Sequence, residues 1–346
     1  SLSSLIGVSL SGKLTKDPCP FAFQPAFHDQ QGVQITLSLA NEAEFISIYQ
    51  HKEWWLRPAF GNHVSEIPRR SQLVIFKTDE YHAFLAVCGD DNRTDLHGTS
   101  EGLVVSQSSN LSNQTYQSDL SFIYGHGSEP YSLVESMVNY GLKLMNKRLR
   151  PRKEKKFPEI FSKIGWCTWD SLGQNVNESE ILLKMNEFKE KNIPLGWVLI
   201  DDGWSEANQK ALRLAGIDAN KEKFPHGLKG IIDQLKQEYG IEHVGIWQAI
   251  FGYWEGIEPG SQAETLFAPY LTRYPNGNIT IKPEAEAAFG FWNLWHSHLK
   301  NCGVDFVKVD GQSSFSIAAT GTLTYGKLAK AIHIGLDASA DLHFDG

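Results

Sequence analysis

A lysine and an aspartate stand two residues apart in the segment DFVKVDGQ (305–312), at Lys308 and Asp310. The segment has the apolar, β-branched composition of a short buried strand, and alternate side chains of a strand point to the same face. Burying a cation beside an anion is costly unless the pair serves a purpose. Asp310 is therefore a candidate nucleophile or base, kept ionised by Lys308. A purely structural ion pair between the two residues explains the spacing equally well.

Three further apolar segments, at 163–169, 196–202 and 243–248, also end in polar or aromatic residues. One carboxylate at the end of a strand is weak support for a site, because aspartate also caps the following helix. Several such ends with tryptophans beside them are harder to explain by capping. The residues at these ends are Trp166, Trp169 and Asp170; Asp201, Asp202 and Trp204; and Trp247 and Gln248.

The adjacent pair Asp201 and Asp202 can face one ligand only if the chain turns out of the sheet there, and Gly203 permits such a turn. Two carboxylates are natural acceptors for sugar hydroxyls. A helix cap and a divalent metal site are the alternatives, although no neighbouring run of His, Asn or Glu completes a metal shell. Trp247 and Gln248 could equally be a core residue and a polar cap.

Two histidines, His296 and His298, are spaced two apart on a predicted helix, so they do not share a face. They are predicted to be surface residues and not metal ligands.

Strands and helices alternate from residue 164 onward, which predicts a parallel sheet. Helices are predicted at 178–191 (capped near Asn177), 228–239, 284–301 and 324–338. No glycine-rich nucleotide-binding turn is present, so a (β/α) barrel is favoured, with its site at the C-terminal ends of the strands. Only about the first four of the eight β/α units that a barrel needs occur in the sequence.

Residues 1–129 carry short alternating segments separated by turn residues, which predicts an all-β sandwich domain. A helix is predicted from 130 to 149. The basic run at 146–156 is interpreted as a solvated linker, with a nucleic-acid or membrane patch as the alternative. The predicted domains are thus 1–129, a helix and linker at 130–160, and the first half of a barrel at 161–346.

Composition narrows the function classes. A formal net charge of −8 argues against nucleic-acid and anionic-membrane partners, and no apolar run has the length of a membrane span. The four cysteines are dispersed without metal-binding spacing, which indicates reduced thiols in a cytoplasmic protein. The 10 tryptophans suit a site that holds flat, amphipathic sugar rings.

Taken together, the motifs resemble glycoside hydrolase family 36, in its raffinose synthase and seed imbibition protein branch, which includes alkaline and bacterial α-galactosidases. The motifs that carry the resemblance are GWCTWD (165–170), IDDGW (200–204), VKVD (307–310), and WWLRP (54–58) followed by Ile67 and Pro68.

The resemblance implies an N-terminal β-sandwich followed by a TIM-type (β/α)8 barrel, and retaining chemistry on a small-molecule α-galactoside without a cofactor or metal. It implies that Asp310 is the nucleophile and that Lys308 binds a sugar hydroxyl. Asp201 and Asp202 would hold the galactose O4 and O6 hydroxyls. The same pocket would be lined by Trp166, Trp169, Asp170 and Trp247.

Retaining hydrolysis needs a second carboxyl group as acid/base, about 5–5.5 Å from the nucleophile. In the family this group lies on a later strand, so we expect it outside these 346 residues and expect the chain to be part of a longer polypeptide. The leading hypothesis is an α-galactosidase of carbohydrate metabolism. The alternatives are a galactosyltransferase of the raffinose or stachyose synthase type and a non-catalytic sugar-binding fragment.

Overall fold

The computed structural model describes residues 4–14, 33–37, 42–52, 54–111, 114–147, 149–315, 318 and 323–345. The chain divides into two compact units, residues 1–155 with 321–327, and residues 156–320 with 328–346. The division at residue 155 lies inside the stretch predicted as helix and linker.

The first unit contains an antiparallel sheet to which the described residues contribute nine strands, in the order β1-β9-β6-β5-β7-β8-β2, with β3 paired to β4 and β5. These strands are β1 (Ser4–Leu14), β2 (Val33–Leu37), β3 (Glu42–Lys52), β4 (Trp55–His63), β5 (Ser71–Lys77), β6 (Tyr81–Ala86), β7 (Arg93–Thr99), β8 (Gly102–Ser108) and β9 (Gln114–Gly127). The all-β prediction for this region is confirmed. Strand pairing runs through one continuous sheet, and the sandwich stays a prediction.

Alternation along the strands places one set of apolar side chains in a common core. Phe45 of β3, Val74 of β5 and Phe84 of β6 pack there with Leu96 of β7 and Val105 of β8. Side chains from five strands of the sheet therefore share one interior.

Helix α1 (Pro130–Leu144) packs on the opposite side of β6 and β9 through Leu133 and Met137. Its start is fixed by the Glu129 carboxylate, which accepts from the Ser132 N–H at 2.7 Å. The helix ends five residues before the predicted position. In the basic run that follows, Lys153 pairs with Glu135, and Arg148 lies outside the described residues.

The second unit is organised around a parallel sheet in the order β10-β11-β14-β17, as predicted. Its strands are β10 (Gly165–Cys167), β11 (Trp197–Ile200), β12 (Ser205–Asn208), β13 (Arg213–Ala219), β14 (His243–Ala249), β15 (Leu271–Arg273), β16 (Ile279–Ile281) and β17 (Phe306–Asp310). Its helices are α2 (Trp169–Leu172), α3 (Glu178–Glu190), α4 (Gly227–Tyr239), α5 (Gln262–Phe267), α6 (Ala285–Asn301) and most of α7 (Tyr325–Phe344). The four parallel strands follow one another in chain order, as the first strands of a barrel do. A closed barrel stays a prediction.

The longer helices agree with the sequence periodicity. Helix α3 is capped by Asn177, whose side chain accepts from the Glu180 N–H at 3.0 Å. Helix α7 continues six residues beyond its predicted end. Two antiparallel hairpins, β12–β13 and β15–β16, were not predicted, and they lie in the loops that follow β11 and β14.

Among the helices of the described residues, none combines the length and the apolarity needed to cross a membrane. The described cysteines Cys88, Cys167 and Cys302 are free thiols, and Cys19 lies outside the described residues.

Candidate functional site

The carboxylate of Asp310 lies at the C-terminal end of β17 and is half-buried. Its Oδ2 accepts a hydrogen bond from the Trp247 indole Nε1 at 3.1 Å, and its Oδ1 accepts from the Gly311 N–H at 2.7 Å. The two donors are neutral, and they approach different oxygens. They fix the orientation of the carboxylate and leave lone pairs on both oxygens.

Lys308 does not pair with Asp310 in the way that the two-residue spacing predicted. Its ammonium donates to Asp201 Oδ2 at 2.8 Å, across the intervening strand β14. The long lysine side chain reaches this more deeply buried carboxylate, and Asp310 acts on Lys308 only through its charge. Burial opposes the ammonium, but the hydrogen bond and charge of Asp201, with help from Asp310, raise the pKa of Lys308. The lysine side chain stays charged and is 42 % exposed.

Asp201 is 2 % exposed and is held from several directions. Besides Lys308, its carboxylate accepts from the Cys167 thiol at 3.2 Å and from the Asp202 backbone N–H at 2.8 Å. Its own N–H donates to the Thr168 hydroxyl at 2.9 Å. Burial, together with the hydrogen bond that the thiol donates to Asp201, raises the pKa of Cys167, so this thiol stays protonated.

Asp202 is equally buried, at 2 % exposure, and is bound by three side chains. Its Oδ1 accepts from the Tyr253 hydroxyl at 2.6 Å, and its Oδ2 accepts from Gln174 Nε2 at 2.8 Å and Trp254 Nε1 at 3.1 Å. Burial and the adjacent carboxylate raise the pKa of Tyr253, which keeps the phenol protonated. Asp202 thus accepts from three neutral side-chain donors.

The turn that was predicted after the two aspartates is confirmed at Gly203, whose φ is +106°. A Cβ at this position would lie 2.5–2.9 Å from backbone atoms of Gln174. Only glycine fits there, because its φ is positive and the neighbouring backbone is so close.

Trp247 connects the nucleophile candidate to the Asp202 cluster. Its ring lies 5.7 Å from that of Tyr253 and 5.6 Å from that of Trp254, measured between centroids. The indole that donates to Asp310 is therefore in contact with the two aromatic residues that donate to Asp202. Trp247 itself is almost fully buried.

Gln248, the next residue, points to the opposite face of β14. Its Oε1 accepts from His296 Nε2 of α6 at 3.1 Å, while His296 Nδ1 lies 2.8 Å from the Ser339 hydroxyl of α7. The prediction that His296 is a surface residue is wrong, because this face of α6 is covered by β14 and α7. Burial, with the charge of His343, lowers the pKa of His296 to about 3. His298 is partly exposed beside Asp218.

The residues predicted from the first strand are not joined to these carboxylates. The Trp166 ring packs against Phe188 of α3, and its Nε1 donates to the Ser171 hydroxyl at 3.1 Å, so it faces the helices. Trp169, 45 % exposed, and Asp170 form the exposed first turn of α2. Within the described contacts, neither makes a hydrogen bond to the three aspartates.

The sequence reasoning missed four residues of the cluster, namely Cys167, Gln174, Tyr253 and Trp254. Cys167 alternates with Trp166 on β10, so strand periodicity could have placed one of the two on the inner face. Tyr253 and Trp254 follow the C-terminal end of β14, where polar aromatic residues are candidates for a site. For Gln174 no local signal exists.

The cluster offers one carboxylate with open lone pairs (Asp310), one exposed ammonium (Lys308) and two buried, fully braced carboxylates. Such an arrangement can attack an electrophilic carbon and donate to hydroxyl groups. Among the described residues, no three His, Cys, Asp or Glu side chains are grouped so that they could hold a metal ion.

Comparison with known proteins gives one family. The sequence model of "Raffinose synthase or seed imbibition protein Sip1" matches residues 21–346. Among curated relatives, the chain is 25% identical to the probable galactinol–sucrose galactosyltransferase 6 of Arabidopsis thaliana, over 90% of the chain and 48% of that protein. It is 26% identical to the galactinol–sucrose galactosyltransferase of Pisum sativum, over 90% of the chain and 46% of that protein. The chain therefore spans about half the length of these relatives.

Solved structures with a similar fold are bacterial α-galactosidases. One is the GH36 α-galactosidase of Geobacillus stearothermophilus in complex with stachyose, with a TM-score of 0.55 and 15% identity over 90% of this chain and 48% of that one. Another is the α-galactosidase of Lactobacillus brevis, with a TM-score of 0.54 and 14% identity over 91% of this chain and 46% of that one. At these identities the likeness concerns the fold.

Proposed function

We propose a function on the premise that this chain belongs to the raffinose synthase or seed imbibition protein family, whose sequence model it matches over residues 21–346. The family consists of enzymes that process galactosyl groups. The proposed activity of the whole protein is retaining cleavage of terminal α-galactosyl groups from small galactosides, through a covalent intermediate on Asp310.

In the proposed first step, a carboxylate oxygen of Asp310 attacks the anomeric carbon of the galactoside. The carbon–oxygen bond to the leaving group breaks, and a second carboxyl group gives its proton to the departing oxygen. Water then attacks the glycosyl-enzyme, the bond to Asp310 breaks, and the second carboxylate takes the proton from water. That acid/base residue is predicted to lie outside these 346 residues.

Lys308 suits the proposed role of a hydroxyl donor. An ammonium has three N–H donors, and only one of them is used on Asp201. With 42 % of its side chain exposed, Lys308 can direct a second donor to a sugar hydroxyl.

Asp201 and Asp202 can make fewer hydrogen bonds to a sugar than the sequence predicted. Each carboxylate already accepts three hydrogen bonds, and a carboxylate has about four acceptor sites. About one site on each is left for a galactose hydroxyl. Trp169 and Asp170 are proposed to line the pocket. Trp247 contributes by holding Asp310, and Trp166 contributes by packing on α3.

The observation that carries this proposal is the bracing of Asp310 by Trp247 and Gly311 beside the Lys308–Asp201 pair. Its test is Asp310→Ala in the full-length protein, assayed on an aryl α-galactoside, with Asp337→Ala on an exposed face of α7 as the matched control. The expected result is loss of turnover in the first variant alone. Near wild-type hydrolysis by Asp310→Ala would show that the nucleophile assignment is wrong.

Galactosyl transfer is the second candidate function, and the names of the curated relatives favour it. The first step would be the same, and a sugar hydroxyl would replace water in the second. Product analysis with sucrose present separates the two, because transfer gives a trisaccharide and hydrolysis gives free galactose. A cytoplasmic location stays a prediction from the dispersed cysteines.

A further inference from the structure

Lys223, in the loop between β13 and α4, binds two carbonyl groups at once. Its Nζ donates at 2.7 Å to the Gln174 carbonyl and at 2.7 Å to the Gly203 carbonyl. Gln174 lies in a single 3-10 turn (Gly173–Asn175) within the connection between β10 and α3, and Gly203 lies in the turn after β11. One ammonium therefore joins the loops that follow the first two parallel strands.

These two loops are in backbone contact where the ammonium binds them. A Cβ on Gly203 would lie 2.5 Å from the Gln174 carbonyl oxygen, so no side chain separates the two segments. The two carbonyl oxygens converge on one nitrogen, 2.7 Å from each, and would be left without this shared donor if the ammonium were removed. Burial lowers the pKa of Lys223, and the charge of Asp202 opposes that shift.

The backbone of Lys223 is itself held in place. The Lys223 carbonyl accepts from the Glu178 N–H at the start of α3 at 3.0 Å. Asn220 N–H donates to the Trp204 carbonyl at 2.8 Å, and the side chain of Phe224 is fully buried. Lys223 thus reaches the two carbonyls from a fixed base.

We propose that Lys223 is a positioning residue for Asp202, acting through Gln174. The Lys223 ammonium holds the Gln174 backbone, and the Gln174 side chain then presents Nε2 to Asp202 Oδ2 at 2.8 Å. This inference rests on the proposed function, in which Asp202 contacts a galactose hydroxyl. We call the two hydrogen bonds from Lys223 to the Gln174 and Gly203 carbonyls the clamp. Without the clamp, the acceptor site of Asp202 that is left for the sugar changes its direction. Substrate binding then weakens, while the attack by Asp310 is unaffected.

The test compares three variants of the full-length protein: Lys223→Met, Lys223→Arg and the control Lys221→Met, which removes an exposed lysine from the same loop. For an aryl α-galactoside, Lys223→Met is expected to raise KM roughly tenfold with kcat changed less than about twofold, which is the scale of losing the charge-assisted hydrogen bond from Gln174 to Asp202. Lys223→Arg should recover most of KM, because it keeps a charged donor, and Lys221→Met should match the wild type.

A second arm examines Gln174→Leu alone and combined with Lys223→Met. If Lys223 acts through Gln174, the double variant has the KM of a single variant, and independent roles would instead give multiplied effects. Gln174→Leu also carries the test if Lys223→Met does not fold.

Hydrogen exchange of peptides that cover 171–176 and 201–206 separates positioning from packing. Faster exchange in Lys223→Met with an unchanged KM would make Lys223 a structural staple and overturn the inference. If the wild-type protein does not turn over α-galactosides at all, the proposed function fails first. If turnover depends on Asp310 while KM is unaffected by Lys223→Met, the clamp alone is wrong.

Discussion

The ends of β11 and β17 carry the same type of side chain at the same edge of one sheet, but they treat it in opposite ways. Asp201 and Asp202, after β11, are each 2 % exposed and accept three hydrogen bonds apiece. Asp310, at the end of β17, is half-buried and accepts two. The difference separates two carboxylates that are held by three donors each from the carboxylate that we propose as the nucleophile.

A carboxylate that is surrounded by donors is well oriented but has little capacity left for new bonds. A nucleophile needs a fixed direction and a free lone pair, which two neutral donors on different oxygens provide. Lys308 belongs to both regions, since it is bonded to Asp201 and exerts its charge on Asp310. Substitutions at the two strand ends should therefore affect different measurements.

The largest expected effect is on turnover by Asp310→Asn in the full-length protein. We expect kcat/KM for an aryl α-galactoside to fall by at least about a thousandfold, because the amide cannot form the glycosyl-enzyme. The free energy of unfolding should change by less than about 1 kcal/mol, since only two hydrogen bonds are altered. Kinetics and urea denaturation check the two parts. A large decrease in the free energy of unfolding for Asp310→Asn would contradict the proposed difference between Asp310 and the aspartates after β11.

Asp201→Ala should instead have its main effect on the free energy of unfolding. It leaves the Lys308 ammonium, the Cys167 thiol and the Asp202 N–H without their acceptor, and we expect the free energy of unfolding to fall by about 2–4 kcal/mol. Denaturant unfolding, with the exposed Asp337→Ala as control, measures this. A decrease of less than about 1 kcal/mol would show that the hydrogen bonds to Asp201 do not stabilise the fold.

Trp247→Phe sharpens the comparison by removing a single donor from Asp310. The ring contacts with Tyr253 and Trp254 are largely kept, while the N–H to Oδ2 is lost. We expect kcat to fall about tenfold with a small change in KM, which corresponds to about 1.4 kcal/mol. Steady-state kinetics decide, and an unchanged kcat would mean that the Gly311 N–H alone orients the carboxylate.

The smallest expected effect is on the pH dependence of stability, and it comes from His296 between β14 and α7. His296 has a pKa of about 3 in the folded protein and about 6.5 when unfolded, so the unfolded state binds more protons between these values. The contribution of His296 to the free energy of unfolding is fully present above pH 6.5. It is lost as the pH falls towards 3, and the free energy of unfolding then changes by at most about 1.4 kcal/mol per pH unit. Between pH 7 and 5.5, His296→Gln should lose about 1 kcal/mol less than the wild type in urea denaturation. The control His333→Gln should not differ from the wild type in this respect.

The sequence predicted the strands that carry the site, and residue patterns explain why. Apolar segments ending in Asp310 and Asp202 define strand ends, and Asn177 marks the start of α3. The partner of Lys308 could not be predicted in the same way, because alternation gives the face of a side chain but not the strand across which it reaches. His296 was misplaced since its burial depends on α7, whose contact residue Ser339 lies 43 residues further along the chain.

Three of the four missed residues lie in the connections between the parallel strands and the longer helices. Gln174, Tyr253 and Trp254 lie in loops whose path is set by tertiary contacts, such as the approach of Gln174 to Gly203. Periodicity carries no information about such contacts. The short hairpins β12–β13 and β15–β16 escaped detection for the same reason.

Strand β14 turns Trp247 towards Asp310 and Gln248 towards His296, so a single strand contacts the proposed nucleophile on one side and helix α6 on the other. For engineering of the proposed sugar site, this makes β14 an unfavourable target, because any backbone shift is transmitted to both sides. The loop that bears Trp254 is the better place for a mutant library, since its indole contacts Asp202 from a partly exposed position and meets β14 at the ring of Trp247.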